Sequence, residues 1–224
     1  MLEIRNINAG YGDFHILHDV SLNVTRGEMV AVVGANGHGK STLLKAVCGI
    51  LPVSDGSVRF NDEEIEGRSA PDLVGRGLVY VAEDRRLFPD MTVLENLELG
   101  AFLPQARKME KQNLERVFDL YPRLAERRGQ LCRTLSGGEA QMVALGRGLM
   151  SNPTLLAIDE PSLGLAPNLT ETMLQTVATL NKEGLTILIV EQSMSLLRGM
   201  IDRVYFIEEG VVSAAVPEQV QESL

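Results

Sequence analysis

Met29-Val30-Ala31-Val32-Val33-Gly34-Ala35-Asn36-Gly37-His38-Gly39-Lys40-Ser41-Thr42 is the stretch whose reading decides the fold. Its first five residues are apolar throughout, the mark of a central strand buried on both faces. Gly34 to Ser41 then fit the pattern G-x-x-x-x-G-K-[ST] completely. From Ser41 to Ile50 the apolar residues Leu43, Leu44 and Val47 keep helical spacing, and Gly49 and Pro52 close the helix. Glycines in such a loop let backbone N–H groups turn inward and form a concave nest for anionic oxygens. The helix that follows presents its positive dipole end to the same anion. A plain glycine-rich turn is the competing reading, and the full pattern with the correct flanks argues against it.

Outward from this unit, Val20, Leu22 and Val24 alternate with Ser21, Asn23 and Thr25, as in a half-buried strand. Further strands are expected at 57–60, 78–82, 155–159, 185–190 and 203–207, with 207–212 as a hairpin at the sheet edge. Between residues 92 and 150 the pattern turns helical. Thr92 and Glu95 form a capping-box pair there, and Pro104 and Pro122 bound a charged helical stretch. The simplest architecture is a parallel α/β core with a helical lobe inserted at about residues 86–148.

The 224 residues carry 21 Lys and Arg against 30 Asp and Glu, a formal charge of −9. That balance excludes a protein whose surface coats DNA or anionic lipid, so a polyanion must be held by a local device. Apolar residues at 45% supply a sizeable core and exclude a disordered chain. Cys48 and Cys132 lie far apart with no CxxC pattern, as expected of small buried residues in a reducing compartment. No run reaches the ~18 apolar residues of a bilayer span. The N-terminus lacks a basic-then-apolar leader, so a cytoplasmic protein is expected.

Two more motifs carry chemistry. Leu155-Leu156-Ala157-Ile158 is a buried strand that ends in Asp159-Glu160-Pro161. Acids at the carboxyl end of a central strand stand where α/β sheets gather ligands. Lys40 is the candidate cation for the outer phosphates of a nucleotide, and the Ser41 hydroxyl a candidate ligand for Mg²⁺. Asp159 is a candidate to hold the same ion through its water shell. Glu160 is the candidate to orient or deprotonate an attacking water; a solvated strand-end turn is the alternative. Leu135-Ser136-Gly137-Gly138-Glu139 opens a helix through Met142, Val143, Leu145 and Leu149, with Ser136 and Glu139 as its capping box. Two glycines in a helical first turn cost about 1 kcal/mol each against Ala. They suit a turn whose N–H groups approach a phosphate closely.

In this order and spacing, the phosphate loop, Leu-Ser-Gly-Gly-Glu and the hydrophobic-Asp-Glu strand end resemble the nucleotide-binding subunit of an ATP-binding cassette (ABC) transporter, over essentially the whole chain. The resemblance implies an α/β fold: a P-loop NTPase (RecA-like) core with an N-terminal antiparallel β subdomain and an inserted α-helical subdomain. One nucleotide-binding domain would span 1–224, with its core at about 1–85 and 149–224 and its helical part at about 86–148. ATP and Mg²⁺ are the implied cofactors and Mg-dependent ATP hydrolysis coupled to transport the implied activity. Gly34, Asn36, Gly37, His38, Gly39, Lys40, Ser41 and Thr42 would form the nucleotide loop, although His38 also reads as an outward-pointing loop position. Tyr11, in Gly10-Tyr11-Gly12, matches the aromatic residue that stacks on adenine, with Phe14 as the second candidate. Family subunits pair head to tail, as a homodimer or with a second ABC ATPase. Ser136, Gly137, Gly138 and Glu139 would then act on the partner's ATP, and Ser162, Leu163 and Gly164 would cross the dimer axis.

Residues 81–89, 159–167 and 190–193 resemble the shorter ATPase subunit of branched-chain amino-acid importers. Transmembrane permease subunits and, through them, an extracytoplasmic solute-binding protein are the implied partners, with no nucleic acid. The implied location is cytoplasmic and peripheral on the inner face of the membrane. A docking surface is expected around 83–103, where Arg85, Arg86, Leu87 and Phe88 would meet a short helix of the permease. Glu83 stands where the family usually has Gln, a position that senses Mg²⁺ and water, and its charge lies near the phosphates. Gln192 stands where most members have His; it can donate to the γ-phosphate but cannot take a proton. These two departures keep a regulatory nucleotide-binding module as an alternative. A non-transport ABC-type ATPase is a further one, although such proteins usually carry two cassettes or a large coiled-coil insertion and this chain has neither.

Overall fold

Met29–Val33 forms strand β3, buried along its whole length. Side chains alternate across a strand, so Met29, Ala31 and Val33 enter one apolar core, and Val30 and Val32 enter a second on the other face. The computed structural model describes residues 1–213 and 216–217. Before β3 come β1 (Leu2–Tyr11) and β2 (Phe14–Val24); after it come α1 (Lys40–Val47), β4 (Val53–Phe60), β5 (Glu63–Glu64), α2 (Ala70–Gly75) and β6 (Leu78–Val81). A helical run follows: α3 (Val93–Glu98), α4 (Pro104–Arg107), α5 (Glu110–Leu120), α6 (Pro122–Glu126) and α7 (Gly137–Met150). The chain then returns through β7 (Leu155–Asp159), α8 (Pro167–Lys182), β8 (Thr186–Glu191), β9 (Arg203–Glu208), β10 (Val211–Val212) and β11 (Val216–Pro217).

Two sheets result. The larger runs β10-β9-β3-β8-β7-β6, with β11 also on β9. Within it β9, β3, β8, β7 and β6 are mutually parallel, which requires crossover connections between spatial neighbours. The smaller sheet, β2-β1-β4-β5, is antiparallel. Leu43, Leu44 and Val47 of α1 share the second core with Ile4, Leu17 and Val20, so α1 lies between the sheets. The first core takes α3, α5, α7 and α8 through Leu97, Val117, Val143 and Val177.

Both anticipated capping boxes are present in full, at Thr92–Glu95 and Ser136–Glu139. Pro104 and Pro122 each occupy the first turn of a short helix, where a missing N–H costs nothing, and α5 lies between them. Strand β1 was not legible as a strand. Its register against β2 shifts between Ile4 and Ile7, with Asn6 at φ 49°, and this bulge breaks the alternation. Among the described residues no helix is long and apolar enough to cross a membrane.

Candidate active site

Gly34 follows β3 where β9 runs alongside, and a Cβ there would lie 2.3 Å from the Ile207 carbonyl oxygen. Glycine is required by that close approach. Gly39, at φ 101°, turns the chain into α1, which has no side-chain cap and no acidic residue in its first turn. Its leading N–H groups and dipole are therefore left for an anion. A pocket of about 360 Å³ opens in front of them. Asn36, Gly37, Gly39, Lys40, Ser41 and Thr42 of the loop and α1 line it, together with Tyr11, Ile16, Glu83, Glu160 and Leu163.

Lys40 is 3% exposed. Its Nζ donates to the Gly34 and Ala35 carbonyls at 2.8 and 3.0 Å and lies 2.9 Å from Glu160 Oε1. Asp159 closes β7 and is buried. Its Oδ1 accepts from Ser41 Oγ at 3.0 Å and its Oδ2 from the Tyr80 hydroxyl at 2.6 Å. Burial pushes the Asp159 carboxyl up, against the opposing pull of those two donors. Burial and the same bond to Asp159 push the Tyr80 phenol far up, so it stays a proton donor. Glu83 sits at the rim, and its pKa is raised by burial and by the neighbouring Glu160 and Asp159 carboxylates.

These donors fit a nucleotide with Mg²⁺. Ser41, Asp159 and Glu83 offer only oxygens, the chemistry that Mg²⁺ takes. Among the described residues no group of three or more His, Cys, Asp or Glu forms a metal cage. The set therefore suits an ion that completes its shell with phosphate oxygens and water.

The other expected residues lie elsewhere. His38 is outside the pocket lining: its Nδ1 accepts from the Glu209 N–H at 3.4 Å, and its carbonyl accepts from Gly210. Phe14 is 77% exposed and also outside the lining, whereas Tyr11 is 46% exposed and within it. Ser136, Gly137, Gly138 and Glu139 open α7 and do not line this pocket. Gln192, just past β8, is exposed and outside the lining as well.

Three residues escaped the sequence reading. Tyr80, in apolar β6, is the second donor to Asp159. Glu191 is 1% exposed and accepts from Ser162. Arg147, on α7, donates to the Arg85 and Arg86 carbonyls at 2.8 Å each. Arg85 and Arg86 have φ of 60° and 47°, so this guanidinium supports two consecutive left-handed residues. The available signal was the same each time: one polar tip inside an otherwise apolar run.

Comparison with known proteins shows the family. The family described as "ABC transporter" matches residues 17–163. The high-affinity branched-chain amino acid transport ATP-binding protein BraG of Pseudomonas aeruginosa is 42% identical, over 94% of this chain and 90% of that protein. A nucleotide-free ATP-binding cassette from an ABC transporter superposes with a TM-score of 0.88 at 28% identity, covering 99% of this chain and 94% of that one. A dimeric post-hydrolysis cassette bound to ADP and Pi superposes at 0.81 with 26% identity, covering 97% and 99%. By these matches, and with phosphate loop, buried lysine and Glu160 around one pocket, the chain belongs to the ABC transporter family, as a nucleotide-binding, ATP-hydrolysing enzyme coupled to transport.

Proposed function

We propose that this chain hydrolyses Mg-ATP at the seam of two cassettes, and that closure of the seam drives uptake of a branched-chain amino acid or a related small polar solute. The observation that carries the reading is the buried Lys40–Glu160 pair beside Asp159. Lys40 lies in a nearly dry site, where attraction to a phosphate is strong. Phosphate oxygens compete with Glu160 for Lys40, and Glu160 displaced from that pair becomes free to orient and deprotonate a water at the γ-phosphate. Mg²⁺, when bound, neutralises the charge on the transferred phosphoryl group. Ser41 and Asp159 would hold it, and Glu83 would respond to it from the rim. Tyr11 stacks on adenine, and Gln192 donates to the γ-phosphate.

Ser136, Gly137, Gly138 and Glu139 lie outside their own pocket and suit a role in trans, in a homodimer or beside a second ABC ATPase. The solved dimeric cassette bound to ADP and Pi supports pairing of this kind. The helical run at about 86–148 acts as a subdomain within a single nucleotide-binding domain. It carries the docking face for transmembrane permease subunits, which hold the chain on the cytoplasmic side of the membrane and connect it to an extracytoplasmic solute-binding protein. The solute class rests on the name of the relative BraG.

The test is steady-state hydrolysis by the full chain. Activity should require Mg²⁺ and vanish in Lys40→Ala. Glu160→Gln should bind ATP and accumulate a closed dimer. Hydrolysis at the parental rate in Lys40→Ala would overturn the assignment of this pocket.

A further inference from the structure

Strand β8 is buried from Thr186 to its last residue, and that residue is Glu191, 1% exposed. Among the described residues no Lys, Arg or His pairs with it. A buried carboxylate without a cation is costly unless its oxygens are hydrogen-bonded. Its oxygens are occupied by one loop and the residue next to it: Oε1 accepts from Ser162 N–H at 3.1 Å, and Oε2 accepts from Ser162 Oγ at 2.8 Å and Gln192 N–H at 3.3 Å.

That loop begins at Glu160. Its φ is 40°, in the left-handed region, and the next residue is Pro161. A non-glycine residue is disfavoured there, and one that precedes proline is further restricted. Such strain persists only where the surroundings over-determine it. The Glu160 N–H donates to the Val190 carbonyl at 3.0 Å, and Leu163 N–H donates back to the Glu160 carbonyl at 3.1 Å. Glu191 adds the clamp two residues further on. With the loop so held, Glu160 Oε1 lies 2.9 Å from Lys40 Nζ, and Leu163 lines the phosphate pocket.

We propose that Glu191 is a positioning residue for hydrolysis, clamping Ser162 so that the strained turn at Glu160 aims its carboxylate at the phosphate loop. Oε2 is shared by Ser162 Oγ and the Gln192 N–H, so the same carboxylate ties the loop after β7 to the end of β8. The inference rests on Glu160 being the hydrolytic base.

The experiment measures kcat, KM and equilibrium Mg-ATP affinity for the full chain and its variants. Ser162→Ala removes one clamp bond and keeps the backbone one; kcat should fall about tenfold, the size of one hydrogen bond, with affinity within about twofold. Glu191→Ala should lower kcat about 10²-fold, as misplacement of a reacting group does. Glu191→Gln, which keeps one acceptor oxygen, should recover part of that loss. The double variant should be no slower than Glu191→Ala alone, because the two changes break one link. Parental kcat in Ser162→Ala and Glu191→Gln, or losses that simply multiply in the double variant, would overturn the role. If Glu191→Ala does not fold, the kcat of Ser162→Ala and Glu191→Gln decides. Glu160→Gln separates the two readings: if it hydrolyses at the parental rate, the base is misassigned. If it is inactive while the clamp variants are parental, only the clamp fails.

Discussion

At the residue scale, the site depends on how each buried charge is satisfied. Lys40 meets two carbonyls and Glu160, and Asp159 meets two hydroxyls. Ser41 could be read from the loop pattern, but Tyr80 could not, because nothing local in Leu78–Val81 says which carboxylate its hydroxyl reaches. The bond leaves Asp159 oriented by Tyr80 from one side and by Ser41 from the other. Outer partners of metal-holding carboxylates typically change metal affinity 10–100-fold when lost. Tyr80→Phe is therefore expected to raise the Mg²⁺ concentration for half-maximal hydrolysis about tenfold. Binding of ATP without Mg²⁺ should stay at the parental level, and a titration of both quantities checks the pair.

At the element scale, adjacent parallel strands are locked at their ends by polar contacts that no periodicity reveals. Glu28, just before β3, accepts from the Thr25 N–H at 2.8 Å and from Arg203 Nη2 of β9 at 2.7 Å. Burial alone would raise the Glu28 carboxyl, but the bonds from Arg203 and Thr25 prevail and hold it below its ordinary value of 4.5. A carboxyl whose folded pKa is depressed stabilises the fold above its unfolded pKa. That contribution fades as pH falls through the folded value. Glu28→Gln should thus be less stable than the parent at neutral pH, with the gap closing on the acid side of 4.5. Urea unfolding midpoints at the two pH values measure it. Capping boxes behaved differently: Thr92–Glu95 and Ser136–Glu139 involve residues three apart and were readable in advance. Strand β1 was not, because a bulge disturbs its alternation.

At the scale of the whole molecule, the helical run and the core meet along a groove of about 290 Å³. Arg85 and Arg86 line it with Tyr80, Leu99 and Phe102, while Leu87 packs against the core. Leu99, Phe102 and Ile50 in its lining are large apolar residues left exposed, at 38%, 48% and 40%, and Phe88, next to Leu87 in the chain, is 53% exposed. Exposed apolar surface of this kind marks a contact site, and the proposed function assigns it to permease subunits. Arg147 ties the groove's Arg85 and Arg86 to α7, whose N-terminus carries Ser136. The variant carrying Arg86→Ala and Phe88→Ala should co-purify poorly with permease subunits while its ATP affinity stays parental. Unchanged assembly would exclude this face as the docking site.

Sequence alone determined the α/β class, the phosphate loop on a buried strand, the acids closing β7 and the boxed start of α7. Each of these is written in residues a few positions apart, where sterics and hydrogen-bond reach act locally. Tertiary structure decided which distant groups share a charge or a proton: Lys40 with Glu160, Tyr80 with Asp159, Glu191 with Ser162. It also turned His38 toward Glu209 and kept Ser136 away from its own phosphate pocket. The reason is physical. Hydrogen bonds and ion pairs act over about 3 Å, and only the packing of strands and helices brings residues 29, 79 and 120 positions apart within that reach.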